Sequence, residues 1–157
     1  MATSMEHEWT MPDWWFRGEQ PPNDNAYFEN LSRVIFQAGL NWQVVDGKWP
    51  ALKDAFCGFN IKKVAALTDN DVVEMLKNPD LIRHKGKIQA VIQNAKNFVL
   101  IEKTFGSFPN YLTSLDKSDN YSAVIKDIKS KFRWVGDSSA TTFLYTVNEN
   151  INVWGHE

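Results

Sequence analysis

From about residue 24 onward the apolar residues of this chain return at steps of three and four, and nowhere do they alternate over the length of a strand. That spacing puts them on single helical faces, so a core can be built only by packing helix on helix. Residues 27–42, YFENLSRVIFQAGLNW, set the pattern. Phe28, Leu31, Ile35 and Ala38 share a face, Asp24 is placed to cap the helix and Gly39 to stop it. Further helices are predicted over 49–56, opened by Pro50, and over 61–67, capped by Asn60. A helix capped by Thr68 or Asp69 then runs to Leu76. The longest spans 81–104, with Ile88, Val91, Ile92, Ala95, Phe98 and Val99 on one face. Residues 106–115, around Pro109, read as a loop or single turn, followed by helices over 122–132 and 137–148. The expected fold is an all-α helical bundle with no substantial sheet, one domain over 1–157, long enough to bury a core.

Residues 1–23 break the pattern with Pro12, Gly18, Pro21 and Pro22, and read as an irregular arm. The arm also carries Trp9, Trp14, Trp15 and Phe16. Seven Trp and ten Phe are many for 157 residues, and rings of that size are costly to leave in water. The arm is therefore expected to pack on the body, with part of the aromatic surplus lining a site.

The net charge of −2 conceals a division. Residues 81–136 hold ten Lys and Arg against four acids, a balance of +6 that leaves −8 for the rest. Either one surface faces a polyanion, or these are solvated helix faces. Cys57 is the only cysteine, which excludes an internal disulfide and a cysteine-rich zinc site and agrees with a reducing cytoplasm. Residues 1–9 are acidic with no apolar run behind them, so no secretory leader is expected, and no run approaches membrane-spanning length. His7, His84 and His156 show no ligand spacing, so neither metal nor cofactor is expected.

Three constellations bear on chemistry. Lys131, Phe132, Arg133, Trp134, Val135 and Gly136 form a tight turn entering a helix with Asp137, Ser138 and Ser139. Such a turn aims free amides and a positive helix end at one point. It is either a phosphate seat or an ordinary helix–helix connection. Arg83, His84, Lys85, Gly86 and Lys87 crowd cations at a helix start, where the macrodipole disfavours them. They either hold a nucleic-acid backbone or form a solvated first turn. Finally, Gln37 and Trp42 bring an amide and a large π-face together at a helix end, with Val34 one turn earlier. A pocket for a flat heterocycle needs that pairing, and an ordinary core also contains it.

Taken together, FENLSRVIFQAGLNW (28–42), FxxFNIKKVAALTDNDVVEML (56–76), LIRHKGKIQAVIQNAKNF (81–98) and KFRWVGDSSATTF (131–143) resemble the bacterial 3-methyladenine DNA glycosylase I family. The resemblance covers about residues 24–148. It implies the helix–hairpin–helix DNA glycosylase fold, with the motif over 120–148, its hairpin over 132–136, and its amides on a DNA phosphate. It further implies a monofunctional hydrolase acting in base-excision repair on an alkylated purine flipped from duplex DNA. Trp42 matches the family's stacking tryptophan and Gln37 the glutamine of its QAG motif, with Trp14 and Trp15 as further aromatic walls. Lys131, Arg133, Trp134 and Gly136, with Arg83, Lys85 and Lys87, would bind DNA, and a monomer is the expected state.

This sequence departs from the family pattern at three places. The pocket glutamate falls at Val34. The zinc clasp is missing, because its C-terminal positions are Val153 and Glu157 and no N-terminal cysteine exists. The chain also ends at Glu157, short of the family pattern. Asp13, beside Trp14 and Trp15, is the acid expected to substitute for the missing glutamate, unless it only caps the turn after Pro12. The alternatives are a DNA-damage-binding homologue with impaired catalysis and a helical protein for an aromatic ligand unrelated to DNA.

Overall fold

The computed structural model describes residues 10–153, which places Trp9 and Glu157 outside the described part. Among the described residues the fold is all-α, and the only pairing of strand type is a bridge between Phe16 and Val147. Eight helices follow in order: α1 Asp24–Gln37, α2 Trp42–Ala55, α3 Ile61–Ala65, α4 Asp69–Lys77, α5 Lys85–Phe105, α6 Phe108–Thr113, α7 Ser118–Lys131 and α8 Asp137–Thr146. A 3₁₀ turn, Cys57–Phe59, joins α2 to α3.

Helices α1 and α5 form the centre. Tyr27, Phe28, Leu31 and Ile35 of α1 and Ile88, Val91, Ala95 and Phe98 of α5 are fully buried. Helices α2, α6 and α8 pack on α1, while α3, α4 and α6 pack on α5. Phe98 ties these layers together. Its ring stacks on Phe108 at 4.8 Å and meets Phe132 at 5.2 Å and Phe28 at 5.5 Å. Each such pair adds roughly 0.5–1.5 kcal/mol beyond the area it buries.

Several boundaries differ from those the sequence predicts. The cap of α1 is Asn23, whose side chain accepts from the Ala26 N–H, while the Asp24 carboxylate accepts from the Phe108 N–H at 3.0 Å and ties α1 to α6. Helix α2 begins at Trp42, not at 49, and Pro50 lies inside it. Asn41 caps it, accepting from the Gln43 N–H at 2.7 Å. The β-branched pair Val44–Val45 and Gly47 disfavour a helix locally. Burial of Val45, Trp49 and Leu52 along one face overrides that preference. Helix α5 begins at Lys85, four residues later than the periodicity suggests, because Leu81 is buried from a loop and extends the apolar pattern without being helical. In α7 the residues Asp119, Asn120 and Tyr121 have positive φ, so its right-handed part starts at Ser122.

Residues 10–23 lie against α1 and α8. The Phe16 N–H donates to the Thr146 carbonyl at 2.7 Å, and the Arg17 guanidinium donates to the carbonyls of Tyr145 and Glu149 while resting 4.1 Å over the Tyr145 ring. That guanidinium neutralises the open carbonyl end of α8, where a cation is favoured.

Candidate functional site

At the C-terminal end of α1, Gly39 takes a left-handed conformation, φ +77°, and turns the chain out of the helix. The turn sets Gln37 behind it and Leu40 and Trp42 in front. Gln37 is 3% exposed, yet neither its Oε1 nor its Nε2 has a hydrogen-bond partner. A buried amide left unpaired costs about 1–3 kcal/mol, so the fold retains an energetic fault at this position. Trp42 shows the reverse: a large ring at the first turn of α2 that stays 44% exposed. Val34, Gln37 and Trp42 line one cavity of about 350 Å³, closed from the other side by Ser138, Ser139 and Thr142 of α8. Its size is that of a small-ligand pocket, with an apolar wall, a π-face and the buried Gln37 amide behind them.

Lys87 sets this geometry. The sequence places it among cations at a surface, but the structure buries it at 4% exposure, with Nζ donating to the carbonyls of Ala38 at 2.6 Å and Phe36 at 3.3 Å. It is therefore not a phosphate contact. It caps the C-terminal end of α1, where a cation meets the negative end of the dipole, and it fixes the carbonyls on either side of Gln37. Burial pushes its ammonium below the ordinary lysine range. Lys87→Met keeps the length of the side chain and removes both hydrogen bonds. It also removes a buried charge, which offsets much of the lost bonding. We expect Tm to move by only a few degrees while the cavity's affinity for a free purine base, a flat heterocycle of the right size, weakens about tenfold by calorimetry.

The hairpin follows from α5. Asn94, 1% exposed on the otherwise apolar face of α5, accepts from the Arg133 N–H at 2.7 Å and donates to the Arg133 carbonyl at 3.1 Å. Asn97 donates to the Lys131 carbonyl. These bonds hold Trp134 at φ +64°, a conformation costly for a residue with a Cβ. The Trp134 ring is half exposed, edge-on to His84 at 5.1 Å, and lies 2.8 Å from where a Cβ would stand on Gly86. Any larger residue at 86 would force the Trp134 ring to shift. Gly136 caps α8 without a side-chain hydrogen bond, which leaves the first N–H groups of α8 open. Arg83, Lys85 and Arg133 stand exposed around this turn. Lys131 does not, since it pairs with Asp127 at 2.9 Å and lies over the Tyr111 ring.

The structure keeps Asp13 and Trp14 apart from Gln37 and Trp42. They line a second cavity of about 850 Å³ with Glu29, Arg33 and Trp49. There the Arg33 guanidinium lies between the rings of Trp14 and Trp49, at 4.8 and 4.9 Å, and ion-pairs with Asp46. Trp14 thus anchors the arm. Trp15 packs edge-on against Trp14 and Tyr145 and lines neither cavity. Ser138, Ser139 and Thr142 at the pocket, and Asn94 as the hairpin's tie, come from contacts between distant segments. Asn94 does leave a signal, as a lone amide three residues after Val91 and four before Phe98.

A family model described as methyladenine glycosylase matches residues 6–142. The chain belongs to the methyladenine glycosylase family. It is similar to the DNA-3-methyladenine glycosylase of Haemophilus influenzae, 29% identical over 123 residues covering 78% of this chain and 60% of that protein's length. It is also similar to DNA-3-methyladenine glycosylase 1 of Escherichia coli, 27% identical over an alignment that covers 93% of this chain and 85% of that protein's length. A crystal structure of 3-methyladenine DNA glycosylase I superposes with a TM-score of 0.72 at 29% identity, over 85% of this chain and 82% of that one. A variant of a 3-methyladenine DNA glycosylase I in complex with 3-methyladenine gives 0.73 at 25% identity, over 85% and 80%. A variant of the Staphylococcus aureus protein, at 23% identity with a TM-score of 0.73 over 91% and 89%, shares the fold.

Within the methyladenine glycosylase family, the resemblance puts a pocket glutamate at the place of Val34. In this chain that residue is a valine 4% exposed, and none of the nine residues bounding the cavity is acidic. No helix of the described residues is long and apolar enough to cross a membrane.

Proposed function

We propose that this chain is a monofunctional DNA glycosylase that hydrolyses the N-glycosidic bond of alkylated purines of the 3-methyladenine class, acting on duplex DNA as a monomer in base-excision repair. The observation that carries the reading is the unpaired, buried amide of Gln37 beside the open face of Trp42. Adenine presents an N–H donor and a ring-nitrogen acceptor side by side on its edge, and a glutamine amide answers both at once. Guanine presents two acceptors there and leaves Oε1 without a donor, so the pocket favours adenine.

The chemistry does not require an acid. A 3-alkylated adenine carries a positive charge, and stacking on an indole favours that cation by about 1–2 kcal/mol when water is excluded. When the bond from the sugar C1′ to the base nitrogen breaks, its electron pair goes to the base and neutralises it. Water then adds to C1′ and releases a proton. The pocket extrudes and orients the base, while the open amides at the start of α8 and the hairpin seat the backbone phosphate.

The test is to incubate the protein with methylated duplex DNA and separate the free bases by chromatography. We expect 3-methyladenine above the spontaneous rate and in preference to 7-methylguanine. The absence of an acid around the cavity favours a second reading, a damage-binding homologue that holds the base without releasing it. DNA binding with no base release would select that reading.

A further inference from the structure

Beside the hairpin lies a depression of about 430 Å³ formed by Gly86, Gln89, Gln93 and Lys96 of α5 with Arg133 and Trp134. We propose that this face of α5 is a second phosphate track, holding a stretch of duplex backbone beyond the phosphate at the hairpin amides. The inference rests on the glycosylase reading in so far as the polyanion is DNA.

Lys85, Gln89 and Lys96 recur at steps of four and seven and therefore share a helical face. Gln93, between them, also lines the depression, with its Nε2 donating to Asn97. At 1.5 Å per residue the row from 85 to 96 is about 16 Å long, the axial rise of roughly five phosphates of one strand. Its cations are uncommitted: among the described residues Lys85, Lys96 and Arg133 make no ion pair. By contrast Lys129 and Lys131, on the adjoining helix, are neutralised by Asp137 and Asp127. The exposed Gln89 adds a neutral donor that suits a phosphate oxygen. The far wall carries one carboxylate, Asp69 at the start of α4, which limits how closely a backbone can approach on that side. A polyanion fits such a track better than an apolar partner does, because the half-exposed Trp134 is its only large exposed ring.

The discriminating measurement is the salt dependence of binding to an undamaged duplex. Each phosphate contact contributes about 0.9 to the slope of log affinity against log salt. Lys96→Ala should lower the slope by that amount, so that its affinity deficit shrinks about threefold between 50 and 200 mM salt. Asp69→Asn should tighten binding. Lys62→Ala removes an exposed cation that lies near Glu102, at the opposite end of α5, and should leave the slope unchanged. If the wild type binds with a steep slope and Lys96→Ala reproduces it, the track is overturned while the glycosylase reading stands. If the wild type shows no salt-dependent binding, the DNA reading fails and this inference fails with it.

Discussion

Val34→Glu is expected to raise the release of 3-methyladenine by about ten- to hundredfold and, in the same protein, to lower Tm by several degrees. Both effects come from one buried position. Val34 is 4% exposed on the wall that also carries Gln37, so a carboxylate there faces the edge of any base stacked on Trp42. A hydrogen bond to a charged group contributes about 1.5–3 kcal/mol, which is the tenfold to hundredfold expected. Without a base, the same carboxylate is taken out of water with only the Gln37 amide to meet it, and burial raises its pKa. The cost is on the order of 1–3 kcal/mol, or roughly 2–4 °C for each in a chain of this size. The check is to measure melting and single-turnover base release on the same preparations, with Val34→Gln as the neutral control. A folded Val34→Glu protein with unchanged release would mean that the base does not enter this cavity.

The sequence carried the fold better than the site, for reasons visible at single residues. Periodicity reports burial, and the buried faces of α1 and α5 are those the apolar spacing marks, from Phe28 to Ile35 and from Ile88 to Phe98. It misplaced the start of α2 because Pro50 looks like a first-turn residue, whereas an asparagine at 41 and one buried face carry the helix through it. Site geometry depends on contacts between distant segments, which no local spacing records. Lys87 stands in a run of surface cations, and only the arrival of the α1 carbonyls at its Nζ reveals it as a buried cap. Asp13 sits next to two tryptophans, but it lines the cavity of Arg33 and Trp49 and not that of Gln37. Gln37 and Trp42 were legible because both lie within six residues of one helix end, where local geometry alone brings them together.

Trp42→Ala is expected to cut 3-methyladenine release by about ten- to hundredfold with the fold intact. Base–aromatic stacking is worth roughly 1–3 kcal/mol by alanine substitution, and in the proposed function it is also the contact that would favour a cationic base over a neutral one. Little else depends on this ring. It is 44% exposed, and alanine at the first turn of a helix already capped by Asn41 costs little, so Tm should fall by only a degree or two. Trp49 supplies the contrast. It is 4% exposed and stacked on Phe59 at 5.1 Å, and its Nε1 donates to Glu29 at 2.9 Å. Trp49→Ala should cost about 3–5 kcal/mol of stability and lose activity only through unfolding. Melting curves and release rates taken together separate these two tryptophans. If Trp42→Ala released 3-methyladenine at the wild-type rate, the exposed indole would be surface decoration and the buried Gln37 amide would need another partner.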